Sequence, residues 1–287
     1  MNTTEYDPQT ITTRAQARLT IRRHRLVTRL THWAWAVALF LLLLSGLQIF
    51  NAHPALYIGQ QSGFAFDNGV FSIQPSRDRN GEVRGITTVL GRNFDTTGVL
   101  GVSGAKQVRA YRAFPAWLTV PSYQDLATGR VVHFFFAWVF ATVYAIWFMA
   151  SVINGHLRRD ILPGWGDIRA LPHTLTEHIR FHFDHDGRYN SLQKLSYALV
   201  LLLFFPLMIL TGLTMSPGMN AAWPWLLDLF GGRQTARTIH FVVMLLLVGF
   251  FVVHLFMVFA AGPINEMRSM ITGRYRLDDR HKGGNAR

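Results

Sequence analysis

Residues 238–261, TIHFVVMLLLVGFFVVHLFMVFAA, decide the fold. They run without a Lys, Arg, Asp or Glu, and at about 1.5 Å per residue a helix of this length crosses a hydrocarbon core of roughly 30 Å. Three more stretches share the character: 31–50, 131–153 and 192–215, the last with a single charge, Lys194, at its edge, where an ammonium can snorkel to the interface. Half of the 287 residues are apolar and only 15% are charged, too few for an ordinary soluble domain. The expected fold class is an all-α membrane protein, a four-helix transmembrane bundle with a long periplasmic loop between helices one and two.

Basic residues near the helix ends set the orientation. Arg14, Arg18, Arg22, Arg23, Arg25 and Arg29 precede helix one, Arg158 and Arg159 follow helix two, and Arg268, Arg274, Arg276, Arg280 and Lys282 follow helix four. After helix one no basic residue occurs until Arg77. Both termini and the segment between helices two and three are therefore expected in the cytoplasm. The net charge of +12 then reads as a topology signal with attraction to anionic membrane lipid, not as a nucleic-acid footprint. The polar stretch before the first apolar run does not resemble a cleavable signal peptide, so helix one is expected to be a retained anchor.

The expected layout is a basic cytoplasmic segment 1–30, a bundle 31–262 and a cytoplasmic tail 263–287. Within the bundle lie a periplasmic loop 51–130 and a cytoplasmic loop 155–190. The first ends in aromatic residues, Tyr111, Phe114, Trp117 and Tyr123, of the kind enriched at interfaces. The second carries His173, His178, His182 and His185. Zinc chelation by His178, His182 and His185 is one reading of that group, and a solvated amphipathic segment is the other. A short outer connection carries Trp223 and Trp225, suited to a membrane interface. No internal repeat stands out.

The chain has no cysteine. That excludes disulfides, iron–sulfur clusters and covalently attached c-type haem, each of which needs thiols. A metal must be held by His, Met or oxygen.

A histidine inside a spanning helix is costly unless it is paired, faces a polar cavity or binds metal. Four qualify: His32, His133, His240 and His254. His240 and His254 are 14 residues apart, which is about 21 Å of rise and roughly 40° short of four turns, so they share a helix face at two depths. Chain direction pairs His32 with His254 on the inside and His133 with His240 on the outside. Two such pairs suit two six-coordinate haems, whose irons accept imidazole from both sides and have no open position for substrate, leaving electron transfer as the task. Gly46, 14 residues after His32, and Gly212 in helix three supply places where a porphyrin could wedge between helices. A hydrogen-bonded packing role remains the alternative for any one histidine taken alone.

These features resemble the bacterial cytochrome b561 and nickel–iron hydrogenase cytochrome b family, which includes membrane subunits of formate dehydrogenases and thiosulfate reductases. The resemblance covers about residues 22–276. It rests on Arg29-Leu30-Thr31-His32-Trp33, on Arg188-Tyr189-Asn190 through Gln193-Lys194, on Leu210-Thr211-Gly212, and on His240 with His254. It implies two b haems ligated by the four histidines and a quinone site beside the inner haem, using Asn190 and His254. The long outer loop and the His-rich inner loop depart from the small members. The run Gly46-Leu47-Gln48-Ile49-Phe50-Asn51-Ala52-His53-Pro54 is similar to a branch found with periplasmic molybdopterin oxidoreductases.

The function these expectations describe is electron transfer between a periplasmic redox protein and quinone. Two other readings stay open: a stand-alone oxidase that passes electrons from a small molecule such as superoxide to quinone, and a transporter with proton-relaying histidines. The absence of an intramembrane carboxylate speaks against the latter.

Overall fold

The computed structural model describes residues 20–22, 24–63, 66–104, 109–179 and 191–276. Four helices are long and apolar enough to cross a membrane: α1 (Leu26–Ala52), α2 (Leu126–Ile153), α3 (Ser191–Met215) and α4 (Arg233–Ala261). Three of them begin five residues before their apolar runs, at 26 against 31, 126 against 131 and 233 against 238. The added turns carry Arg29, Arg130 and Arg237, because a helix need not stop where its side chains become polar.

Local chemistry sets the ends. The Asp125 carboxylate caps α2, accepting from the Thr128 backbone N–H at 3.0 Å and from its hydroxyl at 2.6 Å. Gly262, at φ +106°, ends α4, and Pro263 opens a short helix α5 (Pro263–Thr272) in a new direction. Within α3 a wide turn spans Leu199–Phe204, just before Pro206. Proline has no N–H for the preceding turn and its ring crowds that turn's carbonyl, so the ladder loosens there.

α1 packs along α2, and the second half of α3 packs along α4. Between these pairs lies a core of Trp35, Ala38, Phe140, Trp147, Val200 and Phe205. Its rings meet edge to face, Trp35 to Phe205 at 5.3 Å and Phe140 to Phe205 at 4.8 Å.

The all-α expectation needs correction, since the mostly helical chain also carries β-structure. Between α1 and α2 the chain folds into an antiparallel sheet of β2 (Ala55–Tyr57), β3 (Gly69–Arg77), β4 (Val83–Val89) and β5 (Arg92–Asp95), paired in that order. Its small core of Leu56, Ile73 and Ala113 is completed by Phe50 from α1 and by Phe241 from α4, whose rings stack at 4.7 Å. At the opposite end of the bundle β1 (Thr20–Arg22) pairs with β6 (Arg274–Arg276), joining the segment before α1 to the one after α5. There Trp33 donates its indole N–H to the Met270 carbonyl at 3.3 Å, and the Arg29 guanidinium donates to the carbonyl of Ile271.

Candidate functional site

The four membrane histidines meet as two facing pairs. The rings of His32 on α1 and His254 on α4 have their centres 6.3 Å apart, and those of His133 on α2 and His240 on α4 are 6.5 Å apart. An iron bound between two imidazoles needs a metal–nitrogen bond of about 2 Å on each side. With roughly 1.1 Å more from each nitrogen to its ring centre, centres about 6 Å apart are required. Both pairs match that spacing. The ring planes cross at 54° in the first pair and 61° in the second; rotation about a common ligand axis accommodates such angles.

Around the pairs the surroundings differ. His32 sits edge-on to Trp33 with centres 5.4 Å apart, and His254 is stacked on Phe250 at 5.8 Å. The His32 Nδ1 is buried with no hydrogen-bond partner among the described residues. In the second pair each Nδ1 lies against a hydroxyl, His133 against Ser45 at 3.1 Å and His240 against Thr211 at 2.9 Å. A Cβ added to Gly46 would stand 3.3 Å from His133 Cε1, and one added to Gly212 would stand 3.6 Å from His240 Cε1. Both glycines thus lie at the ring edges of the same pair.

Sequence alone singles out these glycines and gives no role to the hydroxyl before each. Thr211 enters only as a letter of the Leu210-Thr211-Gly212 stretch, and Ser45 not at all. A signal exists, because Ser45-Gly46-Leu47 and Thr211-Gly212-Leu213 are near copies in different helices.

Asn190, expected near a quinone, lies outside the described residues, as do His182 and His185; His178 falls where only the backbone is described. Lys194, expected to snorkel, forms an ion pair with Asp167 at 3.1 Å, and the Ser191 hydroxyl donates to the same carboxylate at 3.4 Å. The backbone N–H of Gly164, which donates to Asp167 at 2.9 Å, and the Lys194 ammonium hold this carboxyl below the usual carboxylate range. Asp167 therefore ties the start of α3 to the helix Trp165–Ile179.

At the other end the sheet is fastened directly above the His133–His240 pair. Asn51 exchanges two hydrogen bonds with Phe114, accepting from its N–H at 2.7 Å and donating to its carbonyl at 3.4 Å. Gln48 donates to the Tyr123 carbonyl at 2.8 Å, and the Arg237 guanidinium donates to the His53 carbonyl at 2.5 Å while lying over the Phe50 ring. The Gly59 carbonyl accepts from the free N–H groups of Gln234 and Thr235 at the start of α4. Residues of the 46–54 run thus do their visible work by seating the 53–125 segment on the bundle. Burial, and then the charge of Arg237, push the His53 imidazole below its ordinary value.

The chain has relatives among known proteins. The family model described as prokaryotic cytochrome b561 matches residues 23–273. The chain is also 25% identical, over 232 residues, to "Putative protein-methionine-sulfoxide reductase subunit YedZ1" of Azospira oryzae; that similarity covers 80% of this chain and 86% of the relative.

Proposed function

The chain belongs to the prokaryotic cytochrome b561 family, and from that premise we propose that it is a dihaem membrane cytochrome b carrying electrons between a periplasmic redox protein and quinone. Membership makes it a multi-pass membrane protein of the haem b electron-transport class. The observation that carries the dihaem reading is the facing of four histidines at two depths, 6.3 and 6.5 Å between ring centres.

Haem b held by these imidazoles would supply one-electron cycling between ferric and ferrous iron. The chain's own residues do the rest. His32 and His254 hold one site, and His133 and His240 hold the other. The apolar helices around both exclude water and lower the local dielectric, which tunes the potentials. Gly46 and Gly212 let a helix backbone come close to the rings of the second pair.

The positive-inside rule assigns the His32–His254 end, with Arg25, Arg29, Arg158, Arg159, Arg268 and Arg274, to the cytoplasm. Both termini then lie in the cytoplasm, where the basic residues meet anionic lipid. The His133–His240 pair and the four-stranded sheet face the periplasm, and the sheet is the surface on which a redox partner docks. The YedZ1 relative bears the name of a reductase subunit, which supports a protein partner over a stand-alone oxidase. Quinone reacts at the cytoplasmic pair, with Asn190 and His254 beside it, as the family resemblance implies.

The test is haem stoichiometry of the purified chain. Two non-covalent protohaems per chain, read as the pyridine haemochrome and extracted by acid acetone, are expected. One haem per chain would overturn the dihaem reading, and a haem that stays attached would overturn the assignment as haem b.

A further inference from the structure

We propose that Ser45 and Thr211 are matched positioning residues that fix the protons of His133 and His240 on Nδ1, leaving Nε2 of each ring unprotonated for a metal. The inference rests on the reading that this pair holds a haem. It deepens that reading by assigning the hydroxyls that set the tautomer.

A hydroxyl has one proton to give. The Ser45 Oγ lies 2.6 Å from the Leu41 carbonyl of its own helix, and a carbonyl can only accept, so the serine proton goes there. Its 3.1 Å contact with His133 Nδ1 then needs a proton from the ring. Thr211 repeats the arrangement, with its Oγ1 2.5 Å from the Leu207 carbonyl and 2.9 Å from His240 Nδ1. The Leu42 and Met208 carbonyls also face His133 and His240, and since a carbonyl only accepts, they favour a protonated ring nitrogen on the same side. Both side-chain carriers are wholly buried, at 0% exposure, so bulk water does not compete for either contact. Each hydroxyl is followed by a glycine that lies against the same ring. The device thus occurs twice, Ser45-Gly46 on α1 serving α2 and Thr211-Gly212 on α3 serving α4.

The other pair lacks it at His32, whose buried Nδ1 has no partner among the described residues. A ligating imidazole that donates from Nδ1 is the more basic ligand and favours the ferric iron. The two hydroxyls therefore bias the His133–His240 site toward a lower potential than it would otherwise have.

The experiment is redox titration of the full chain in detergent, with low-temperature EPR, for Ser45→Ala, Thr211→Val and Thr211→Ser. Thr211→Val and Ser45→Ala should raise the midpoint of the component that His240→Ala removes, or loosen that haem by about 10-fold or more. The component that His254→Ala removes should stay unchanged, and Thr211→Ser should behave as the parent chain. Unchanged midpoints and haem content in both Ser45→Ala and Thr211→Val would overturn the inference. So would a Thr211→Ser chain that matches Thr211→Val, since packing and not the hydroxyl would then matter. If His133→Ala and His240→Ala each retain the full haem content of the parent, it is the underlying haem reading that fails.

Discussion

Gly46 lies against the imidazole of His133, so that an added Cβ would stand 3.3 Å from its Cε1, whereas the same atom on Gly212 would stand 3.6 Å from His240 Cε1. The first distance requires the ring to give by a few tenths of an ångström, and the second is ordinary contact. Alanine otherwise favours a helix interior over glycine by about 1 kcal/mol. Gly212→Ala is thus expected to disturb the haem Soret band and melting temperature of the purified chain less than Gly46→Ala does. Gly46→Ala should shift the band or lower its melting point. Identical behaviour of the two variants would show that the close approach at Gly46 carries no constraint.

The placement of the histidines on α4 gives a second expectation. His240 faces His133 and His254 faces His32, so each belongs to a separate pair. His240→Ala and His254→Ala should each lower haem content from two to one per chain. In a redox titration the component surviving in one should be the component missing from the other. Loss of the same component in both would break the pairing.

The spanning helices were legible because an uncharged run of over 20 residues has few other uses. The facing of His32 with His254 also followed from chain direction and a 14-residue interval, which need only helix geometry. The sheet was hidden for a physical reason. In β3 only Ile73 is buried, so the strand shows no alternating pattern of its own, and its apolar cover comes from Phe50 and Phe241 on distant helices. The hydroxyl partners were hidden differently. Serine or threonine in a membrane helix commonly bonds its own preceding turn, as both do here, and only the fold reveals the imidazole on the other side.

The link between Asp167 and Lys194 gives an expectation in pH. The folded carboxyl is held below its ordinary value by Gly164 and Lys194. Its contribution is therefore complete above an unfolded value of about 3.9 and is lost as pH falls through the depressed folded value. The ion pair is partly exposed, so the effect should be about 1 kcal/mol or less. The parent chain should lose melting temperature on acidification below about pH 4, and Asp167→Asn should start lower and lose less over the same interval. An equal acid-induced loss in both would place the sensitive carboxylate elsewhere.

The turn between β4 and β5 carries the last expectation. Leu90 has φ +48°, a left-handed conformation that costs a residue with a Cβ roughly 1–2 kcal/mol. Asparagine or glycine would suit that turn better. Among the described residues nothing offsets the strain by burial, because Leu90 is 76% exposed, and Phe94 on the neighbouring edge strand is exposed as well. The Leu90 N–H donates to the Val70 carbonyl on β3, and an exposed apolar side chain held in that state suits a contact outside the chain, for which the proposed redox partner is the candidate. Leu90→Asn should therefore raise the melting temperature of the chain and leave both haem spectra intact. In membranes containing the native partner it should slow haem reduction or oxidation by that partner, and Phe94→Lys should slow it further. If both variants exchange electrons with the partner at the parent rate, the sheet's outer edge is not the docking surface, and its role is reduced to covering the His133–His240 end of the bundle.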